Sequence, residues 1–281
     1  MAGTSWSGVE PSGLSGDLYD IHFVDANKGI TVGAGGNVRT TTDGGTSWSS
    51  VDCDTDKLLA GVFLFSDASS GIIVGDDGVI KVHSTSSGCS TPTSGVTADL
   101  TDVHCVSTTA CWVVGKGSTI LATTDGGDSW STQNAPAGAS ADLADVFMVS
   151  VTAGYAVGSG GAVWKYNSGT WTALTCSGCG TTNLNGVFFD GSTGYVVGNA
   201  KLLQKTINGG TTWSSKAGSS PDTNHNFLGI MCASVTKCFV VSADQGSFGN
   251  RYVLRTNDEG VNWETYTEWE GSWNAVSGYW Q

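Results

Sequence analysis

The chain has 281 residues, with 41 Gly, 11 Trp and 8 Cys against only 4 Pro and 3 Met, and 39% of it is hydrophobic. This balance excludes a collagen-like chain, which needs a Gly-X-Y period, and a disordered one, and it suits strands joined by tight turns better than a helical bundle. Twelve Lys+Arg against 25 Asp+Glu, a net charge of -13, disfavour nucleic acid and anionic membrane surfaces, and the longest apolar run, LLAGVFLF at 58–65, falls well short of the roughly 18 residues of a membrane span.

The N-terminal MAGTSWSGVEPSG has neither the basic nor the apolar region of an export signal. Its Trp6, in GTSWSGV, matches Trp48 in GTSWSSV, so this stretch predicts an outer, fourth strand. The first full repeat follows with DLYDIHF (17–23), GITVG, NVRTTT and a segment holding Trp48. Apolar runs of four to six residues closed by Gly read as short buried strands. The same order recurs from LLAGVFL (58–64) with GIIVG, DLTDVHC (99–105) with CWVVG, DLADVFM (142–148) with GYAVG, NLNGVFF (183–189) with GYVVG, and NFLGIMC (226–232) with CFVVS. The anchors Leu18, Leu59, Leu100, Leu143, Leu184 and Phe227 stand 41, 41, 43, 41 and 43 residues apart. The C-terminal SWNAVSGYWQ resembles one more first strand, anchored at Trp273.

Four short strands in a period near 42 residues predict an all-β fold: a single β-propeller domain over 1–281, with blades starting near 17, 57, 99, 142, 183 and 226. Segments 1–12 and 271–281 are left over and predict a partial closing, seventh blade. A six-blade ring with two accessory strands, or a blade completed by a neighbouring subunit, stays open.

Between third and fourth strands lies the most specific motif. It reads Thr41-Thr-Asp43-Gly-Gly45-Thr-Ser-Trp48, Thr123-Thr-Asp125-Gly-Gly127-Asp-Ser-Trp130, Thr206-Ile-Asn208-Gly-Gly210-Thr-Thr-Trp213 and Thr256-Asn-Asp258-Glu-Gly260-Val-Asn-Trp263. It resembles the Asp-box, or BNR repeat. The Asp is expected to accept main-chain N–H bonds within the turn, Gly to supply positive φ and Trp to pack over the hairpin, a structural device away from any central ligand face. Repeat four keeps a shortened form ending at Trp171, and repeat two lacks it.

Cys105 and Cys111 frame the first hairpin of repeat three, and Cys232 and Cys238 frame the same hairpin of repeat six, so each pair is expected to form a disulfide across adjacent antiparallel strands. Cys176-Ser-Gly-Cys179 is either a tight local bridge or half a metal site; zinc would need two further ligands, and no second C-x-x-C exists, so the bridge is expected. Cys53 would then pair with Cys89. Such pairing implies an oxidising compartment.

The repeat as a whole, DIHFVDANKGITVGAGGNVRTTTDGGTSW at 20–48 and its counterparts, resembles the photosystem II stability/assembly factor family of propellers over nearly the whole chain. That resemblance implies a non-catalytic chaperone of the thylakoid lumen or periplasm that holds assembly intermediates and binds partly through a basic patch. Three arginines, Arg39, Arg251 and Arg255, depart from that pattern, as do the cysteine-framed hairpins.

Other Asp-box propellers are sialidases, whose arginine triad cannot be drawn from separate blades here because two of the three arginines share one strand. A carboxylate pair could hydrolyse glycosides, but Asp20, Asp102 and Asp145 recur at one repeat position, with Gly61, Gly186 and Gly229 elsewhere, which favours a turn or ring-lining role. His22 and His104 share another position and read as structural rather than metal-binding, and Asp76-Asp77-Gly78 as a turn rather than a Ca²⁺ site. Trp112 and Trp164 read as core. No enzyme activity and no cofactor are expected. The leading reading is a disulfide-stabilised extracellular or cell-surface propeller for protein interaction or self-assembly. Its contact region would be the C-terminal aromatic stretch with Trp269, Trp273, Tyr279 and Trp280, which equally suits blade closure. A glycan-binding module, an assembly-factor-like chaperone and a glycosidase are the alternatives.

Overall fold

The second strand of each repeat is its most apolar piece, and that fixes its place in the middle of a sheet covered on both faces. In the computed structural model, which describes residues 16–216, 225–244 and 252–267, the strand Gly29–Gly33 is buried along its whole length, as is Cys111–Gly115. Ser70–Gly75, Ala153–Gly158 and Thr193–Gly198 are buried after their first residue. Six four-stranded antiparallel meanders result, each with its strands paired in chain order. The first strands are Leu18–Phe23, Leu59–Leu64, Leu100–Cys105, Leu143–Ser150, Leu184–Asp190 and His225–Ser234. Fourth strands are short, only Ser49–Ser50, Ser131–Thr132 and Ser214–Ser215 in blades 1, 3 and 5. No helix of the described residues is long and apolar enough to cross a membrane.

The Gly that closes the second strand is required by close approach. A Cβ on Gly33, Gly75, Gly115, Gly158 or Gly198 would sit 2.1 to 2.3 Å from the main-chain oxygen of the residue before the first-strand anchor. Where the two strands meet there, each first strand carries a bulge: the register steps from Leu18 to Asp20, from Leu143 to Asp145, and likewise in the other blades. The extra residue turns the start of the strand and re-aims the side chains after it.

Neighbouring blades share apolar cores. Ile30, Val32 and Val38 of blade 1 pack on Leu59, Val62 and Ile73 of blade 2, and corresponding sets join blades 2 and 3, 3 and 4, 4 and 5, and 5 and 6. Five such cores join six blades; among the described residues none joins blade 6 to blade 1. The residues at the matching first-strand position reflect this. Val62, Val103, Val146 and Val187 are at most 3% exposed, whereas Ile21 and Ile230, in the two end blades, are half-buried. The segments expected to form a seventh blade, 1–12 and 271–281, lie outside the described residues, as do Trp6, Trp269, Trp273, Tyr279 and Trp280.

Candidate functional site

The six first strands line a central cavity of about 540 Å³. Two of the lining positions of the repeat lie two residues apart and therefore on one strand face, and Tyr19, Ala60, Thr101, Ala144, Asn185 and Leu228 line the cavity beside them. One layer holds Asp20, Asp102, Asp145 and Gly229, with Gly61 and Gly186 at the same repeat position but outside the lining. The next is His22, Phe63, His104, Phe147, Phe188 and Met231.

The carboxylates solve a problem that the ring creates. A first strand has no partner on its channel edge, so its amides need another acceptor. Asp20 Oδ2 accepts the Val62 N–H at 2.8 Å, Asp102 Oδ2 that of Val146 at 2.8 Å and Asp145 Oδ2 that of Val187 at 2.7 Å. Each is a staple from one blade to the next. The histidines act likewise, His22 Nδ1 accepting from Leu64 N at 3.2 Å and His104 Nδ1 from Met148 N at 3.4 Å. The glycines at the Asp position mark tighter contact: a Cβ on Gly61 would lie 2.9 Å from Asp102 Cα, and one on Gly186 3.0 Å from Ile230 N.

Crowding these groups shifts their titration. Burial, with the charge of Asp102, pushes the Asp20 carboxyl up to about 8. Burial raises Asp102, and raises Asp145 well above the carboxylate range with help from its neighbour Asp102, to which it is hydrogen-bonded, so that pair holds a proton between its carboxyls at neutral pH. Burial lowers His22 to about 4 and, with repulsion from His22, His104 to about 3; both rings are neutral, with the proton on Nε2 because Nδ1 accepts. The rings form an arc in contact around the channel: His22 to Phe63 4.4 Å between centroids, Phe63 to His104 5.2 Å, His104 to Phe147 4.6 Å and Phe147 to Phe188 5.0 Å.

The Asp-boxes lie on the outer hairpins, away from this channel. In blade 1 the Thr41 hydroxyl donates to Asp43 Oδ1 (2.8 Å) and accepts from Gly45 N (2.9 Å); Asp43 accepts from Ser47 N (2.9 Å) and Ser47 Oγ (2.6 Å), and Trp48 Nε1 donates to Gly45 O (3.1 Å). Thr123, Asp125, Gly127 and Trp130 repeat the pattern. So do Thr206, Asn208, Gly210 and Trp213, where Asn208 Nδ2 donates to Thr212 Oγ1 at 2.8 Å. Thr256, Asp258 and Gly260 follow suit, but the Trp263 indole N–H finds no acceptor. Gly45, Gly127, Gly210 and Gly260 have φ of 87°, 96°, 86° and 74°, the left-handed region. Strand register puts His83 and Tyr166 where the box Thr stands in the other blades. Tyr166 packs against Trp171 and Trp112, whereas His83 is buried with neither ring nitrogen hydrogen-bonded.

Two lysines outside the box motif couple boxes to blades. Lys165 Nζ reaches Gly209 O at 3.4 Å and Lys205 Nζ reaches Glu259 O at 3.0 Å and Glu259 Oε2 at 2.9 Å, so each grips the next blade's box. Each also sits over a tyrosine of its own blade, Tyr155 at 5.6 Å and Tyr195 at 5.5 Å. The signal was there, since Lys165 and Lys205 share one repeat position and Tyr155 and Tyr195 another.

All eight cysteines are paired: Cys105–Cys111 and Cys232–Cys238, each directly opposed in its hairpin with Cα atoms 4.0 Å apart, Cys53–Cys89 at 4.9 Å and Cys176–Cys179 at 5.3 Å. Asp77 lies in a 3-10 turn and pairs with Lys57 at 2.7 Å. Trp112 and Trp164 are buried in the core between blades 3 and 4. Among the described residues no cluster of three or more His, Cys, Asp or Glu is arranged to hold a metal ion.

Comparison with known proteins agrees with this architecture. The family model described as photosynthesis system II assembly factor YCF48 matches residues 87–167, from the fourth strand of blade 2 to the third of blade 4. Among solved structures, YCF48 bound to D1 peptide has a TM-score of 0.67 at 16% identity, covering 88% of this chain and 80% of that one. YCF48 from Cyanidioschyzon merolae also has 0.67, at 17% identity with 89% and 84% covered. The WD40 β-propeller domain of Doa1 has 0.63 at 15% identity, covering 93% and 84%. No curated protein sequence matches the chain. Repeat, box geometry and these matches agree that the chain is a BNR-type β-propeller resembling the photosystem II assembly factor.

Proposed function

We propose that this propeller is a non-catalytic binding protein that holds an extended segment of a partner protein at its central channel, in the manner of an assembly factor. The observation that carries this reading is the commitment of the channel carboxylates. Each of Asp20, Asp102 and Asp145 spends an oxygen on a main-chain amide of the adjoining blade. A hydrolytic pair needs one free carboxylate and one acid across a bound substrate, and these three are structural staples that join blade 1 to 2, 3 to 4 and 4 to 5. The structure of YCF48 with a D1 peptide is a precedent for a propeller of this shape with a peptide ligand. A net charge of -13 selects cationic rather than anionic segments.

Selection of a displayed peptide library on the immobilised protein tests the reading. Enriched sequences that bind the native protein in solution support it; an empty selection alongside binding on a glycan array would replace it with the glycan-binding alternative.

Four disulfides support residence in an oxidising compartment, and we place the protein at the cell surface or outside the cell, with the periplasm or thylakoid lumen as the other such compartments. Mass spectrometry of native material should find no free thiol, and eight free thiols would contradict the placement. The half-buried Ile21 and Ile230 support closure of the ring by the terminal segments, 1–12 and 271–281 pairing as the remaining blade.

A further inference from the structure

We propose that the channel is a socket for a lysine side chain carried by the partner segment, with its ammonium among Asp20, Asp102 and Asp145 and its stem inside the His22, Phe63, His104, Phe147, Phe188 and Met231 collar. The inference rests on the protein-binding reading above and names the chemistry recognised there.

Dimensions come first. Collar and carboxylate layer are two residues apart along each first strand, about 7 Å. The five bonds from Cα to Nζ of an extended lysine span about 6 Å. A main chain resting at the collar would therefore deliver its ammonium to the carboxylates. The approach is open: a second cavity of about 290 Å³ shares His22 and Phe63 with the channel and lies beyond the collar, towards the first hairpins of blades 1 to 3.

Each layer also suits the part of the side chain beside it. Methylene stems pack on aromatic and thioether surface while their charged end stays among polar groups. The collar rings attract a cation in passing, and because His22 and His104 are neutral they do not repel it. In the deeper layer Asp20 accepts the Val62 and Ile21 amides, and Asp102 and Asp145 each accept a blade amide and are hydrogen-bonded to one another; a carboxylate offers about four acceptor sites, so each keeps capacity for an ammonium. No Lys or Arg lines the cavity among the described residues, so the carboxyl groups there have no cationic side chain beside them.

The titratable side chains that face the site are Tyr19 and His22 of blade 1, His104 of blade 3 and the three aspartates. At neutral pH the carboxyls hold protons. An entering ammonium keeps its own three protons and stabilises a carboxylate, so a carboxyl O–H breaks and its proton leaves for the solvent. Binding is therefore accompanied by proton release and tightens as pH rises from 6 to 8.

The test is calorimetry of the native full-length protein with a library-selected peptide that contains lysine and with the same peptide carrying Nε-acetyl-lysine. The acetylated form should bind at least tenfold more weakly. The apparent enthalpy of the lysine form should differ between phosphate and Tris, as release of a proton requires. Asp145→Asn, which keeps an oxygen for the Val187 amide, should abolish the preference for free lysine, and Phe147→Leu should weaken both peptides. Should a variant fail to fold, the two peptides on the unaltered protein still decide. Equal affinities for both, or no proton release, would overturn the socket. If peptides bind but are indifferent to acetylation, the socket falls and the protein-binding reading stands; an empty library selection removes both.

Discussion

A box aspartate and a channel aspartate are the same residue type in opposite electrostatic situations. Asp43 and Asp125, on the surface, are held down to about 2, chiefly by hydrogen bonds from Ser47 and Ser129. Their folded value lies below the unfolded one, so the stability they contribute is present above pH 4 and lost as pH falls towards 2. Asp20 lies above its unfolded value, so it favours the folded state at low pH and loses that contribution as pH rises from about 4 through 8. Asp20→Asn retains an acceptor for Val62 N. Thermal melts should therefore show the parent losing stability relative to this variant between pH 4 and 8, and a pH-independent difference would contradict the account. Blade 5 shows that Asn serves in the box, with Asn208 bonded as Asp125 is. Asp125→Asn should consequently cost less than Asp125→Ala, and the gap between Asp125 and Asn should close near pH 2. Both follow from melting midpoints across pH.

At the scale of the element, the blade is a unit whose fit depends on backbone proximity. Gly198→Ala places a Cβ 2.2 Å from Asn183 O and should cost about 1–3 kcal/mol in chemical denaturation, as overpacked sites do. Lys205→Met removes the grip of blade 5 on the blade 6 box and should cost about 1–3 kcal/mol; no change would mean that the box holds itself. These elements differ in how far the sequence reveals them. The 42-residue period, the boxes and the cysteine-framed hairpins were legible because each is local, a run of strand residues, a turn or a pair six apart. The staples were not. Asp20 and Val62 are 42 residues apart and Asp102 and Val146 are 44, so the recurrence of Asp was visible but its partner appears only once blades are packed. The lysine grips were legible in principle, as aligned columns of Lys and Tyr, but their acceptors on Gly209 and Glu259 lie in the next blade and appear only once blades are packed.

The whole molecule separates rigidity from recognition. Boxes, disulfides and inter-blade cores hold the rim, and the first strands leave a channel lined by their own side chains. Closure is the other property of this scale: among the described residues five shared cores join six blades, and the proposed pairing of segments 1–12 and 271–281 would complete the ring. Removing residues 1–12 should therefore lower the melting midpoint, whereas removing a disordered tail would leave it unchanged. The central claim, that the channel recognises and the boxes only support, is tested most directly by photo-crosslinking a selected peptide to the native protein and mapping the attachment points by mass spectrometry. The account expects crosslinks on the first strands, at Phe63, Phe147 and Phe188, and crosslinks confined to the outer hairpins at 41–48, 123–130 and 206–213 would contradict it.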